Sequence, residues 1–426
     1  MNLRPPDTYV VEPVSGPIQA IVRPPGSKSA TNRALVLAAL AGGGVTRLWG
    51  ALDADDTVVM RRCLRALGIM IDDVEDPWLV LGSAGELQTP EAVLDVGASG
   101  TTARFITAVA ALAPGPVRID GTARMRERPI GDLTDALAQL GAEVETDGGT
   151  PPVRLNGGHL HGGHVRIDGS RSSQFASALL MIAPMLDDPL RVTVEGGLVS
   201  HRYVDTTIEM MRAFGAEIET TPDGYRIVPT GYRKTHIEIE ADASAAVYPL
   251  VAAAITGGSM TVEGIPRDST QPDLFVLEVL ERMGCSVSHE DAQIVLAGPS
   301  TGLTAVDVDM SDAPDAALGL AVACIFAEGP SRLRGLSTLR RKETDRLGAL
   351  RTEVTRVGSE ARINGDDLLI VPGPVVPARV ETYDDHRMAM SFALAGLVAD
   401  GIEIVDPGCV SKTWPAFFDM LESIRG

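Results

Sequence analysis

Lys28, Ser29 and Arg33 stand in the stretch Pro25-Gly26-Ser27-Lys28-Ser29-Ala30-Thr31-Asn32-Arg33, directly ahead of an apolar run over residues 34–40. A Pro-Gly turn, small hydroxyl residues and then a helical pattern read as a loop feeding a helix N-terminus. Free N–H groups and the positive end of the helix dipole make such a place attractive to anions. Lys28, Ser29 and Arg33 add side-chain donors, with Ser29 and Arg33 one turn apart at i, i+4. Alone, the stretch reads equally well as a capped helix with two solvated cations.

Five further places share its character. They are Gly97-Ala98-Ser99-Gly100-Thr101-Thr102-Ala103-Arg104, Gly169-Ser170-Arg171-Ser172-Ser173-Gln174-Phe175, Asp242-Ala243-Ser244, Pro314-Asp315-Ala316-Ala317 and Asp384-Asp385-His386-Arg387-Met388-Ala389-Met390. Each allows a purely structural reading. Ser172, Ser173, Ser244 and Asp315 are good capping residues. Arg128 has Glu127 beside it, Arg346 has Asp345, and His386 suits a core. Independent caps, however, have no reason to carry Lys28, Arg33, Arg128, Lys342, Arg346, Arg387 and Lys412 at matching places. That many cations suit two anionic ligands, a phosphate and a carboxylate. The chain has four lysines, Lys28, Lys234, Lys342 and Lys412, against 33 arginines (37 minus 4). Three of the four fall in these motifs, where a compact ammonium does what a planar fork cannot.

The elements that must position these residues repeat. Apolar, Ala-rich helices are predicted to begin near Lys28, Ser99, Ser172, Ser244, Asp315 and His386, at steps of 71, 73, 72, 71 and 71 residues. Each is followed by a short strand and then by an amphipathic helix, five of which end at Gly68, Gly141, Gly215, Gly284 and Gly358. The sixth is expected to run from Lys412 to Ile424 at the C-terminus. A fixed period is a strong fold signal. The expectation is an α/β protein of six β-α-β-α-β-β units. In each unit the first helix is apolar all round and buried, and the second lies at the surface. Six units exceed one core at this length, so two domains of three are expected. One comprises residues 1–25 plus 236–426 and the other 26–235, with six buried helix N-termini facing the cleft between them as an electropositive active site.

Composition removes several classes. A net charge of −20 argues against nucleic acid and anionic membrane as partners. No apolar run is long enough for a span, and residues 1–17 lack a signal-peptide core. Four scattered cysteines, Cys63, Cys285, Cys324 and Cys409, fit a reduced cytoplasmic protein with buried thiols. His159, His161 and His164 suggest a metal, but they lie in a Gly-rich turn with no adjacent carboxylate, and no metal is expected.

Taken together, the motifs resemble the enolpyruvyl transferase family, and within it the EPSP synthases of the shikimate pathway. The resemblance runs from Pro25 to about Leu421. It is carried by Pro-Gly-Ser-Lys-Ser with Asn32-Arg33, Met125-Arg126-Glu127-Arg128-Pro129-Ile130, Ser172-Ser173-Gln174-Phe175, Lys342-Glu343-Thr344-Asp345-Arg346 and Asp385-His386-Arg387-Met388-Ala389-Met390. Ala98, Phe105 and Thr338 depart from the family's usual residues.

The resemblance implies two hinged domains of three units each. It also implies transfer of the carboxyvinyl group of phosphoenolpyruvate to the 5-hydroxyl of shikimate 3-phosphate, through a tetrahedral intermediate and without metal or organic cofactor. It implies shikimate 3-phosphate contacts at Lys28, Ser29, Arg33, Ser172, Ser173, Gln174, Ser200, Asp315 and Lys342. For phosphoenolpyruvate it implies Lys28, Gly100, Arg128, Gln174, Arg346, Arg387 and Lys412. Asp315 would accept the hydroxyl proton, Glu343 would give one to the methylene carbon, and Lys28 would share the catalytic work. The expected partners are these two small molecules, and the expected state is a monomer. Two alternatives stand beside this reading. One is the sister transfer to UDP-N-acetylglucosamine, which typically uses a loop cysteine, and none lies between Cys63 and Cys285. The other is a non-catalytic repeat scaffold that binds anions.

Overall fold

The computed structural model describes residues 7–426. The chain divides into two compact units: a continuous one, Gly26–Ile239, and a discontinuous one made of the segment up to Pro25 together with Glu240–Gly426. Each has its own aliphatic core.

The continuous unit holds α1 (Lys28–Leu40), α2 (Asp55–Ala66), α3 (Gly100–Ala110), α4 (Gly131–Gln139), α5 (Ser173–Ile182) and α6 (Arg202–Ala213). The discontinuous unit holds α7 (Ala243–Thr256), α8 (Phe275–Arg282), α9 (Ala317–Ile325), α10 (Arg346–Arg356), α11 (His386–Gly396) and α12 (Phe417–Arg425). The odd-numbered helices are the apolar ones. Residues 34–40 of α1 are fully buried, as is nearly all of α9 and α11. Small Ala and Gly side chains let these helices pack closely against one another: a Cβ at Gly319 on α9 would meet the Val247 side chain of α7 at 2.6 Å. The even-numbered helices bury one stripe. In α4, Leu133, Ala136 and Leu137 are buried while Asp135 and Gln139 face outward. Gly68, Gly141, Gly215, Gly284 and Gly358 all adopt positive φ, between 90° and 105°, just past α2, α4, α6, α8 and α10. That is the left-handed residue that lets a helix stop and turn into a strand.

Each unit of the repeat lays a small sheet outside its helices, with one parallel edge and antiparallel pairs beyond it. Leu94–Asp95 runs parallel to Pro116–Asp120, followed by Thr150–Asn156 and Glu143–Asp147. Gly163–Asp168 stands in the same relation to Leu190–Glu195, and Asp307–Asp309 to Ser331–Arg334. The β-α-β-α-β-β order expected from the period is observed in the second, third and fifth units as the chain runs.

Three local expectations are corrected. The first concerns His236–Glu238, expected in the discontinuous domain. It pairs in parallel with Arg47–Trp49 and closes the first sheet of the continuous unit, so that unit extends to Ile239. Its counterpart Gln19–Val22 pairs with Ser259–Val262 in the other unit. Second, the sixth sheet is finished by Thr8–Val11, which pairs antiparallel with Ile402–Val405 in place of a terminal hairpin. Third, Lys412 does not open the last helix. It ends the 3-10 turn Pro407–Lys412, and α12 starts only at Phe417. Pro415 explains the gap, because the residue before a proline is pushed out of the α region. No helix among the described residues is long and apolar enough to cross a membrane.

Candidate active site

In the discontinuous unit the site grows from three helix starts. Asp315 lies in a 3-10 turn, Pro314–Ala316, leading into α9. It caps nothing there. Its Oδ1 takes Arg346 Nη1 at 2.8 Å and Lys342 Nζ at 3.2 Å, and its Oδ2 has Arg387 Nη2 at 3.6 Å. Burial opposes its ionisation, but Lys342, Arg387 and Arg346 outweigh that and hold its carboxyl well below the ordinary carboxylate range. Burial in turn lowers the Lys342 ammonium from its usual value, with Asp315 working against it.

Arg346, the first residue of α10, is 1% exposed. Besides Asp315 it reaches Glu343 Oε2 at 2.8 Å, and its Nε and Nη2 donate to Asp385 at 2.7 and 3.1 Å. It therefore does not pair with the neighbouring Asp345, which instead caps α10 by accepting from Gly348 N at 3.2 Å. Asp385 caps α11, accepting Arg387 N at 2.9 Å. Arg387 lies 5% exposed, with Tyr248 Oη at 3.5 Å. Lys412 Nζ is 4.0 Å from Glu343 Oε1. Asp315, Lys342, Glu343, Arg346, Arg387 and Lys412 are thus brought together by tertiary structure. Ser244 is not the cap of α7. Asp242 is, accepting Ala245 N at 2.9 Å, and Ser244 hydrogen-bonds the buried Asp273.

In the continuous unit, Ser27 caps α1 and Lys28 Nζ meets Asp56 Oδ2 at 3.1 Å. Arg33 is 2% exposed. It donates Nε to Thr207 Oγ1 at 2.7 Å, Nη1 to the Ser29 carbonyl at 3.0 Å and Nη2 to the Tyr203 carbonyl at 3.1 Å. Three of its five N–H groups thus serve the fold. Gly100 opens α3. A Cβ there would meet Arg128 Nη2 at 2.4 Å and Arg104 Nη1 at 2.6 Å, so only glycine lets Arg128 lie against the helix start. Arg104 Nη1 donates to the Gly100 carbonyl at 3.0 Å and its Nη2 to the Pro129 carbonyl at 2.7 Å, tying the Arg128 segment to α3. Ser172 caps α5 with Ser173 as its first residue, and Gln174 Nε2 donates to Thr101 Oγ1 at 3.2 Å across the first turns of α5 and α3. Ser200, 8% exposed at φ +51°, sits in the turn ahead of α6.

The sequence reading missed two supports, Asp385 and Arg104. For Arg104 a signal existed, since it stands four residues after Gly100 and can fold back on the helix start. For Asp385 the only signal was an acid just ahead of a helix. Of the histidines, His161 Nδ1 lies 2.9 Å from Asp187 Oδ2 and His164 Nε2 2.9 Å from Thr193 Oγ1. Among the described residues, no group of three His, Cys, Asp or Glu side chains is placed to hold a metal ion.

In the discontinuous unit, helix starts collect Lys342, Arg346, Arg387 and Lys412 around two carboxyls, and a chain of six such repeats defines a class. The solved enolpyruvyl transferase NikO from Streptomyces tendae has the same fold, with a TM-score of 0.78 at 19% identity over 99% of this chain and 98% of that one. An EPSP synthase from Acinetobacter baumannii superposes with a TM-score of 0.82 at 26% identity, covering 98% of each chain. The 3-phosphoshikimate 1-carboxyvinyltransferase of Trichormus variabilis is 42% identical over 420 residues, 97% of this chain and 98% of that protein. The family model for EPSP synthase (3-phosphoshikimate 1-carboxyvinyltransferase) matches residues 13–421. The chain belongs to the EPSP synthase family, and it is an enzyme of that class.

Proposed function

We propose that this chain transfers the carboxyvinyl group of phosphoenolpyruvate to the 5-hydroxyl of shikimate 3-phosphate. The observation that carries the reading is Arg346, whose guanidinium touches Asp315 and Glu343 alike, each at 2.8 Å. One cation thereby gathers the two carboxyls that would move the two protons.

In the addition step the 5-oxygen bonds to C2 of phosphoenolpyruvate, its proton passes to Asp315, and C3 gains a proton from Glu343. In the elimination step the C2–O bond to phosphate breaks and C3 gives a proton back, leaving the enol ether and inorganic phosphate. Lys28, Arg128, Arg346, Arg387 and Lys412 would hold the carboxylate and the departing phosphate, whose charge grows as the bond breaks. Gly100 would let backbone N–H groups approach the phosphate, and Gln174 would contact both substrates. Ser29, Arg33, Ser172, Ser173, Ser200 and Lys342 would hold shikimate 3-phosphate. A carboxyl held as low as Asp315 is a weak base. Substrate anions that take up the charge of Lys342, Arg346 and Arg387 raise its proton affinity as the ternary complex forms. The enzyme would act as a monomer in the cytoplasm.

The test is phosphate release from phosphoenolpyruvate with each of two acceptors. Release with shikimate 3-phosphate and none with UDP-N-acetylglucosamine is expected. The reverse selects the sister reaction, and binding without release selects the scaffold.

A further inference from the structure

Arg346 and Glu353 stand seven residues apart on α10, two turns along the same face. Glu353 is fully buried. Its Oε1 accepts from Tyr383 Oη at 2.6 Å. Its Oε2 accepts from the Glu381 backbone N–H at 3.2 Å and from Arg356 Nε at 2.8 Å. The two oxygens therefore grip both flanks of Thr382, whose carbonyl accepts the Asp385 N–H at 2.9 Å. Between these points Tyr383 and Asp384 take φ values of +57° and +54° in succession. Non-glycine residues rarely adopt that conformation, and two in a row persist only where the surroundings impose them. Asp385 follows at once, gripping Arg346 and capping the helix that carries Arg387.

We propose that Glu353 is a positioning residue for the phosphoenolpyruvate end of the site: it holds the left-handed turn at Tyr383-Asp384 against α10, and so delivers Asp385 and Arg387 to Arg346. The segment is clamped to one helix at two points, about 10 Å apart along its axis. One clamp is Asp385 on Arg346, and the other is Tyr383 on Glu353. The second fixes where the first can form. The phenol is a dependable donor, since burial and the Glu353 carboxylate push it up to about 12. Glu353 is more than the partner of Arg356, because Oε1 is given to Tyr383. The proposal rests on the assignment of Arg346 and Arg387 to phosphoenolpyruvate.

Tyr383→Phe decides it. Tyr383 is 39% exposed, so loss of the hydroxyl leaves the core intact. Full-length Tyr383→Phe, Glu353→Gln, their double variant and Arg387→Lys are compared by steady-state kinetics in both substrates and by thermal melting. Expected for Tyr383→Phe is a rise of about tenfold in the phosphoenolpyruvate KM, with the shikimate 3-phosphate KM held within about twofold and the protein still melting in one cooperative transition, a few degrees lower at most. The double variant should do no worse than the more impaired single one. Unchanged kinetics in Tyr383→Phe, both KM values rising together, or additive effects in the double variant would each overturn the positioning role. Arg387→Lys separates the two levels. If it leaves the phosphoenolpyruvate KM unmoved, the site assignment falls and the proposal with it. If it raises that KM while Tyr383→Phe does not, the proposal falls alone.

Discussion

Asp385 holds Arg346 at two nitrogens, with Oδ2 at 2.7 Å from Nε and Oδ1 at 3.1 Å from Nη2, and both residues are buried to within 1%. The pair fixes the plane of a guanidinium whose remaining edge faces Asp315 and Glu343. Removing one partner strands a buried charge. Asp385→Ala is expected to cost about 3–5 kcal/mol of unfolding free energy by denaturant titration. A loss below about 1 kcal/mol would mean that Arg346 finds another carboxyl without strain.

Asp315→Ala is expected to lower turnover by about two orders of magnitude or more, while equilibrium binding of both substrates persists. Single-turnover phosphate release, read beside binding isotherms, separates the two. Turnover within a factor of a few of the parent would take the proton-acceptor role from Asp315.

The same carboxyl predicts a pH dependence. Its native-state proton affinity is depressed by Lys342, Arg387 and Arg346 against the opposing effect of burial. The native chain therefore binds fewer protons than the unfolded one around and below the ordinary carboxylate pKa, about 4. Its stabilisation is complete above that value and is lost as the pH falls toward the lower native one. The stability deficit of Asp315→Asn, measured by urea unfolding, should be full at pH 7 and shrink progressively below about pH 4. A deficit that grew on acidification would contradict the sign.

Gly100→Ala places a methyl 2.4 Å from Arg128 Nη2 and 2.6 Å from Arg104 Nη1. The flexible arginine tips must yield, and Arg128 leaves its place at the start of α3. The expected outcome is a phosphoenolpyruvate KM raised by about tenfold or more, with that for shikimate 3-phosphate little changed. Equal effects on the two would disconnect Gly100 from the phosphoenolpyruvate end.

Burial pushes the thiols of Cys63, Cys285, Cys324 and Cys409 up to about 12. At pH 7.5 the reactive thiolate is then scarce. Native protein should resist iodoacetamide and release all four thiols to it only on unfolding. Rapid labelling of any one in the native state would locate an opening of the fold.

Much of the fold was legible because its signals are local. The 71–73-residue step, the wholly apolar first helices and the glycines closing the second ones can all be read within a few dozen residues. What escaped depends on distant partners. Nothing near His236 says that its strand belongs beside Arg47, and nothing near Gln19 says that it joins Ser259. The cations of the site were legible as types at helix starts. Their supports were not. Asp385, Glu353 and Arg104 are ordinary residues until tertiary contact sets Asp385 on Arg346, Glu353 on Tyr383 and Arg104 on the Pro129 carbonyl. Ser244 misled because a serine two residues after an aspartate leaves two candidate caps, and only the backbone decides that Asp242 serves.

The exchange of Gln19–Val22 and His236–Glu238 also bears on the order in which the protein takes shape during synthesis. Among the described residues, Gly26–Ile239 borrows no strand from outside, so this half can complete itself while later codons are still being read. The other half cannot. Thr8–Val11 and Gln19–Val22 leave the ribosome ahead of Gly26–Ile239 yet must wait for Ile402–Val405 and Ser259–Glu263, so strands made before that half find their neighbours after it.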